Sequence, residues 1–103
     1  MQYLGALRGE GTLVGSDGQS FGHVDYDIDG FVSHTKEVVG SGELQMPPEA
    51  LDLAFGRTDL VLQTEGGLSL ALRFSGKRLA NGSGAAHVDI TAGLPPRQKW
   101  RRR

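Results

Sequence analysis

FGHVDYDID, residues 21–29, is the segment that decides the fold, because its polar and apolar side chains alternate with a period of two. This alternation predicts a β-strand with one buried and one exposed face. Four residues form the predicted buried face: Gly22, Val24, Tyr26 and Ile28. The other five form the exposed face: Phe21, His23, Asp25, Asp27 and Asp29. We therefore expect an acidic face on this strand.

Turn signals divide the rest of the chain into short segments. Asp17-Gly18 precedes the central strand and Asp29-Gly30 follows it, and Asp-Gly favours tight hairpin turns because it tolerates positive φ. The glycine content of 16 in 103 residues is about twice the usual ~7%, which is typical of many turns. Further strands are predicted near residues 12–14, 31–46, 58–64, 68–75 and 85–91.

One short helix is predicted over residues 48–55. Proline suits the first turn of a helix, and Glu49 favours the positive end of the helix dipole. Together the segments predict an all-β fold with minor α content. We expect an antiparallel barrel or sandwich of six to seven strands, built from hairpins. A barrel is favoured over a sandwich because closure removes exposed strand edges.

Length and composition indicate one domain, residues 1–94, followed by a tail, residues 95–103. The absence of cysteine excludes disulfides and thiolate chemistry. No stretch approaches the roughly 18 apolar residues that a membrane-spanning helix needs. The first residues do not resemble a secretory signal, so we expect a cytoplasmic location.

Charge is distributed unevenly along the chain. All 12 acidic residues precede the tail, whereas residues 97–103, RQKWRRR, contain five basic residues and no acidic one. Such asymmetry favours a charged partner. The predicted partner-binding residues of the tail are Arg97, Lys99, Trp100, Arg101, Arg102 and Arg103. On the acidic strand face they are Asp25, Asp27 and Asp29. We expect the tail to be disordered, because ordering residues 97–103 costs ~1–2 kcal/mol each in backbone entropy, whereas burying Trp100 contributes only ~2–3 kcal/mol.

Two His-x-Asp pairs are candidate metal ligands. His23 with Asp25, and His87 with Asp89, each share one face of a predicted strand. If the two strands were neighbours, two imidazoles and two carboxylates would converge, which suits zinc or another divalent cation. The simpler interpretation is that these residues are the solvent face of half-buried strands. The carboxylates of residues 25–29 have an equally simple interpretation, as an acidic strand edge that discourages aggregation.

These features favour a non-enzymatic binding or interaction module without a cofactor. We expect its partner to be a protein or a second copy of the chain. One alternative is a nucleic-acid accessory protein that uses the basic tail together with Lys77 and Arg78. The other alternative is a metal-binding protein or enzyme centred on the His-x-Asp pairs.

Overall fold

A computed structural model describes residues 2–75, 84–96 and 99–100 of the chain. It contains one short helix, α1 (Pro48–Ala54). The six strands are β1 (Gln2–Gly15), β2 (Ser20–Val32), β3 (Val38–Gln45), β4 (Leu60–Thr64), β5 (Ser69–Phe74) and β6 (Ala85–Ala92). Within the described ranges, no helix has the length and apolar character needed to cross a membrane.

The six strands form a closed antiparallel barrel in the order β1-β2-β3-β6-β5-β4, with β4 returning to β1. The prediction of a small all-β barrel with one helix is thereby confirmed. The pairs β1–β2, β2–β3 and β4–β5 are hairpins between consecutive strands. Closure depends on two contacts between distant segments, β3 with β6 and β1 with β4.

β1 is much longer than the short strand predicted near residues 12–14. The glycine content suggested turns, but Gly5, Gly9 and Gly11 lie inside the strand. Gly11 faces the backbone of Gln63 in β4 so closely that a Cβ atom would collide with it. Gly9 leaves room for the ring of Tyr26 on β2. These glycines therefore permit close approach of chains instead of ending the strand.

The core is apolar and runs through the barrel, with Leu13, Ile28, Leu44, Leu62 and Val88 fully buried. One end of the barrel is covered by α1, whose Leu51 and Ala54 are also buried in this core. Seven residues cannot form a stable helix alone, so α1 depends on this packing. The helix ends next to Phe55, whose ring lies 5.3 Å from that of Phe74.

The predicted exposure of Phe21 is wrong, because a β-bulge interrupts β2 at this point. Leu13 pairs with Gly22, and the next residue, Val14, pairs with Ser20. The extra residue, Phe21, therefore turns inward and is buried. Gly22 has φ of 90°, a conformation that favours glycine. Beyond the bulge, the predicted alternation of β2 holds, with Val24 and Ile28 fully buried and His23 and Asp25 exposed.

Candidate functional site

An acidic face covers the outer side of β1, β2, β3 and β6. Its carboxylates all lie at outward-facing register positions and are half-buried or exposed: Glu10, Asp25, Asp27, Asp29, Glu43 and Asp89. Two guanidinium groups share this side of the barrel, Arg8 opposite Asp27 and Arg73 opposite Asp89. The acidic face is therefore strongly negative, as the alternation of β2 predicts, but it extends over strands that the sequence could not place beside β2.

Two carboxylate pairs stand directly opposite each other across neighbouring strands. Glu10 on β1 pairs with Asp25 on β2, and Asp27 on β2 pairs with Glu43 on β3. Directly opposed side chains in an antiparallel pair have Cβ atoms about 4.5–5.5 Å apart, and like charges at this separation destabilise the sheet. The acidic face therefore reduces the stability of the barrel it covers.

Basic groups on the same face compensate part of this repulsion. Arg8 Nε lies 3.1 Å from an Asp27 carboxylate oxygen. His23 Nε2 lies 3.1 Å from Glu10 and 3.5 Å from Asp25. The imidazole thus sits against both carboxylates of one opposed pair. All of these side chains are about half exposed, so each contact stabilises the fold only weakly.

The two His-x-Asp pairs do not converge. β3 lies between β2 and β6, which separates His23 and Asp25 from His87 and Asp89. His87 instead has its Nδ1 atom 2.6 Å from the Ser75 hydroxyl. The four-ligand arrangement considered from sequence is therefore not formed. Glu10 joins His23 and Asp25, and one ligand atom of each lies within 4.8 Å of the others.

A second charged cluster, which the sequence did not suggest, joins the β1–β2 turn to the segment after α1. Arg57 donates two hydrogen bonds to Asp59, at 2.9 and 2.7 Å, and one to Asp17 at 3.1 Å. Its guanidinium also lies 5.1 Å from the ring centre of Phe21. Asp59 accepts two further bonds from Ser16, through its backbone N–H and its hydroxyl. This cluster holds two loops together at the α1 end of the barrel.

Hydrogen bonding stabilises the charged forms in this cluster. The bidentate contact with the Arg57 guanidinium, followed by the bonds from Ser16, holds the pKa of Asp59 well below its usual range. The Asp59 carboxylate in turn raises the pKa of Arg57. The pKa of Asp17 is lowered first by the backbone N–H of Gln19 and then by Arg57.

The tail residue Trp100 is buried. Its indole covers Gly30 and belongs to an apolar cluster with Leu4 and Val32. Lys99 is exposed. Since the ring is covered, it presents no stacking surface to a nucleic acid in this arrangement. The other predicted partner-binding residues of the tail lie outside the described residues: Arg97, Arg101, Arg102 and Arg103. Lys77 and Arg78 also lie outside them.

The chain has no match among protein-family models, curated proteins or solved structures.

Proposed function

We propose that this protein is a non-enzymatic binding module and that its acidic face binds a basic, extended segment of a protein partner. The main support for this proposal is that Glu10 lies directly opposite Asp25, and Asp27 directly opposite Glu43, on neighbouring strands. Arg8 and His23 offset only part of the repulsion within these pairs, and local rules of this kind are broken mainly at functional sites. A bound cationic segment would turn the repulsion into attraction.

The closed barrel weakens the simplest alternative explanation of the acidic residues. Charged side chains often protect an exposed strand edge from aggregation. β2, however, is paired with β1 on one side and with β3 on the other, so its backbone has no free edge to protect. Protection of a free strand edge therefore does not account for the carboxylates of Asp25, Asp27 and Asp29, whereas recognition of a cation does.

The spacing of the carboxylates indicates the shape of the partner. Alternate residues of a strand lie about 6.5–7 Å apart, and neighbouring strands lie about 4.8 Å apart. Asp25, Asp27 and Asp29 follow the first spacing along β2. An extended peptide has the same spacing between alternate side chains. A segment with Arg or Lys at every second position would therefore place each cation over one carboxylate.

Fluorescence anisotropy with a labelled peptide in which Arg alternates with Ser tests this proposal. We expect the peptide to bind at low salt and to dissociate as salt screens the charges. A peptide of equal composition, with its Arg residues in one block, should bind more weakly. Replacing Asp25→Asn and Glu43→Gln together should weaken binding about 2- to 30-fold, because exposed ion pairs contribute ~0.2–1 kcal/mol each.

The matched control replaces Glu37→Gln and Glu49→Gln, which removes the same charge from exposed positions outside the acidic face. This variant should bind the alternating peptide nearly as well as the unmodified protein does. Equal losses in both double variants would show that only net charge matters. That result, or equal affinity for the alternating and block peptides, would refute the proposed surface.

A divalent cation is a second candidate ligand, favoured by the grouping of Glu10, His23 and Asp25 within 4.8 Å. One imidazole and two carboxylates are suitable ligands for zinc. Isothermal titration calorimetry with Zn²⁺ should show saturable binding that His23→Gln abolishes, and the His23 ring signals in NMR spectra of the unmodified protein should shift during the same titration. Identical zinc affinity in the His23→Gln variant would eliminate this site.

A further inference from the structure

An apolar row lies on the outer surface of the barrel, at the end next to the β2–β3 turn. It consists of Tyr3 on β1, which pairs with Phe31 on β2, and Val39 on β3, which pairs with the same phenylalanine. Tyr3 is 36% exposed, and the other two residues are half-buried. The rings of Tyr3 and Phe31 meet edge to face, with their centres 5.4 Å apart. The apolar row thus spans three neighbouring strands.

The apolar row continues the acidic face along β2. Four residues occupy alternate positions of this strand: Asp25, Asp27, Asp29 and Phe31. Their side chains therefore leave the same side of the sheet, about 6.5–7 Å apart. The Tyr3 hydroxyl donates to Asp29 Oδ1 at 3.2 Å, which joins the two surfaces directly. The outer side of β2 thus offers three carboxylates and then an aromatic ring at one repeated spacing.

The carboxylates alone do not fix the position of a bound basic segment. Because they are equally spaced, they also accept a segment that is shifted by two residues along β2. Exposed ion pairs contribute little each, whereas a few aromatic side chains carry much of the binding energy at protein interfaces. An apolar contact at one end of the acidic row would supply both affinity and a fixed register.

We propose that the apolar row anchors an aromatic side chain of the partner and so fixes the register of the basic segment. This anchor rests on the proposed function, since it belongs to the same bound segment. The segment has three cationic residues at alternate positions and an aromatic residue two positions beyond the last of them. Its ring packs against Phe31 and Tyr3, because aromatic rings favour edge-to-face and offset contacts, while the adjacent cation lies over Asp29.

Two labelled peptides of equal composition test the anchor by fluorescence anisotropy. In the first, Arg-Ser-Arg-Ser-Arg-Ser-Trp, the tryptophan shares one side of the extended chain with the arginines. In the second, Arg-Ser-Arg-Ser-Arg-Trp-Ser, it projects from the opposite side. We expect the first peptide to bind about 3- to 10-fold more tightly, because its ring removes apolar surface from water. This ratio should persist as salt weakens both complexes, since salt screens only the charges.

The reversed sequences of both peptides cover a segment that runs in the other direction along β2. The ratio of affinities should appear in at least one direction. Equal binding of the matched peptides in both directions would overturn the anchor while leaving the acidic face as a binding surface. Failure of every peptide to bind would overturn the proposed function and the anchor together.

Phe31→Thr removes the ring from the apolar row and keeps a β-branched residue that suits a strand. This variant should bind both peptides equally, with the affinity that the unmodified protein has for the second peptide. That affinity also shows that the variant is folded and that its acidic face is intact. Retention of the tighter binding of the first peptide by Phe31→Thr would overturn the anchor.

Val39→Thr and Val61→Thr form a matched pair of variants. Val61 on β4 is half-buried like Val39, and it faces outward because it lies between the buried Leu60 and Leu62. Val39→Thr should reduce the ratio of affinities, whereas Val61→Thr should leave it unchanged. Equal ratios in the two variants would exclude Val39 from the anchor.

A second copy of the chain is the competing occupant of the apolar row, and sedimentation velocity tests for it. We expect the unmodified protein and Phe31→Thr to sediment identically at all concentrations. A dimer that forms in the unmodified protein and is lost in Phe31→Thr would assign the apolar row to self-association and overturn the anchor.

Discussion

Gly42→Ala should be among the most destabilising small substitutions in this barrel. Gly42 on β3 pairs with Ile28 on β2, and a Cβ atom at position 42 would lie 2.8 Å from the Ile28 Cα and would also collide with the carbonyl oxygen of Asp27. Carbon atoms normally approach to about 3.5–4.0 Å. The colliding atoms are backbone, so no rotamer change relieves the contact, and β2 and β3 must separate by at least ~0.7 Å.

The expected cost follows from this separation. Overpacking costs about 1–3 kcal/mol, and each hydrogen bond lost from the β2–β3 ladder costs about 0.5–1.5 kcal/mol. Alanine has less conformational entropy than glycine in the unfolded chain, which offsets about 0.4–1 kcal/mol of this loss of stability. With one ladder bond lost, we therefore expect the free energy of unfolding to fall by about 0.5–4 kcal/mol. Domains of this size have about 5–15 kcal/mol in total, so the variant should remain folded and measurable.

Urea unfolding followed by far-UV circular dichroism measures this loss. Gly66→Ala provides the control, because its methyl group would meet only one atom, at 3.9 Å, and its free energy of unfolding should lie within ~0.5 kcal/mol of the unmodified value. If Gly42→Ala were as stable as Gly66→Ala, the close approach of β2 and β3 would be wrong, and with it the register that places Glu43 opposite Asp27.

Three further substitutions test other parts of the structure. Leu44→Ala removes a fully buried side chain and should lower the free energy of unfolding by about 2–5 kcal/mol in urea titrations; a loss below ~1 kcal/mol would contradict its burial. Thr64→Val deletes the buried hydroxyl that accepts from the Leu68 N–H at 3.0 Å and should cost about 1–3 kcal/mol, whereas an unchanged urea midpoint would show that this bond is replaced. Asp59→Asn should lower the melting temperature at neutral pH. The lowered pKa of Asp59 means that its carboxylate stabilises the fold until it is protonated. The difference in melting temperature between the variant and the unmodified protein should therefore shrink as the pH falls below ~4. A difference independent of pH would show that the charge of Asp59 does not contribute.

Part of the local structure could be predicted from the sequence, although the turn expected at Asp29-Gly30 was wrong because β2 continues through both residues to Val32. Alternation along residues 21–29 identifies β2, and Asp17-Gly18 identifies the turn before it, because both signals depend on neighbouring residues. The bulge at Phe21 could not be predicted, since it is defined by the register between Leu13 and Gly22. Closure of the barrel could not be predicted either, because the paired residues of β1 and β4 are separated in sequence by about half of the chain.

The candidate site was likewise predicted only in part, because residues of a single strand could be identified and their cross-strand neighbours could not. Asp25, Asp27 and Asp29 were predicted as one acidic row because they lie on a single strand. Glu10 and Glu43 were missed, although each stands opposite one of these aspartates, because cross-strand neighbours depend on tertiary register. The Arg57 cluster was missed for the same reason, since Asp17 and Ser16 reach it from a distant turn.

Several contributions to the buried position of Trp100 were absent from the entropy estimate that the sequence allowed for the tail. That estimate set ~1–2 kcal/mol per ordered residue against ~2–3 kcal/mol for burying one large side chain. Pro95 and Pro96 have a fixed φ even in the unfolded chain, so ordering them costs less. The N–H of Lys99 adds a backbone hydrogen bond to Pro96. Gly30 leaves room for the ring by having no side chain. These contributions favour the buried position of Trp100, and the estimate made from the sequence did not include them.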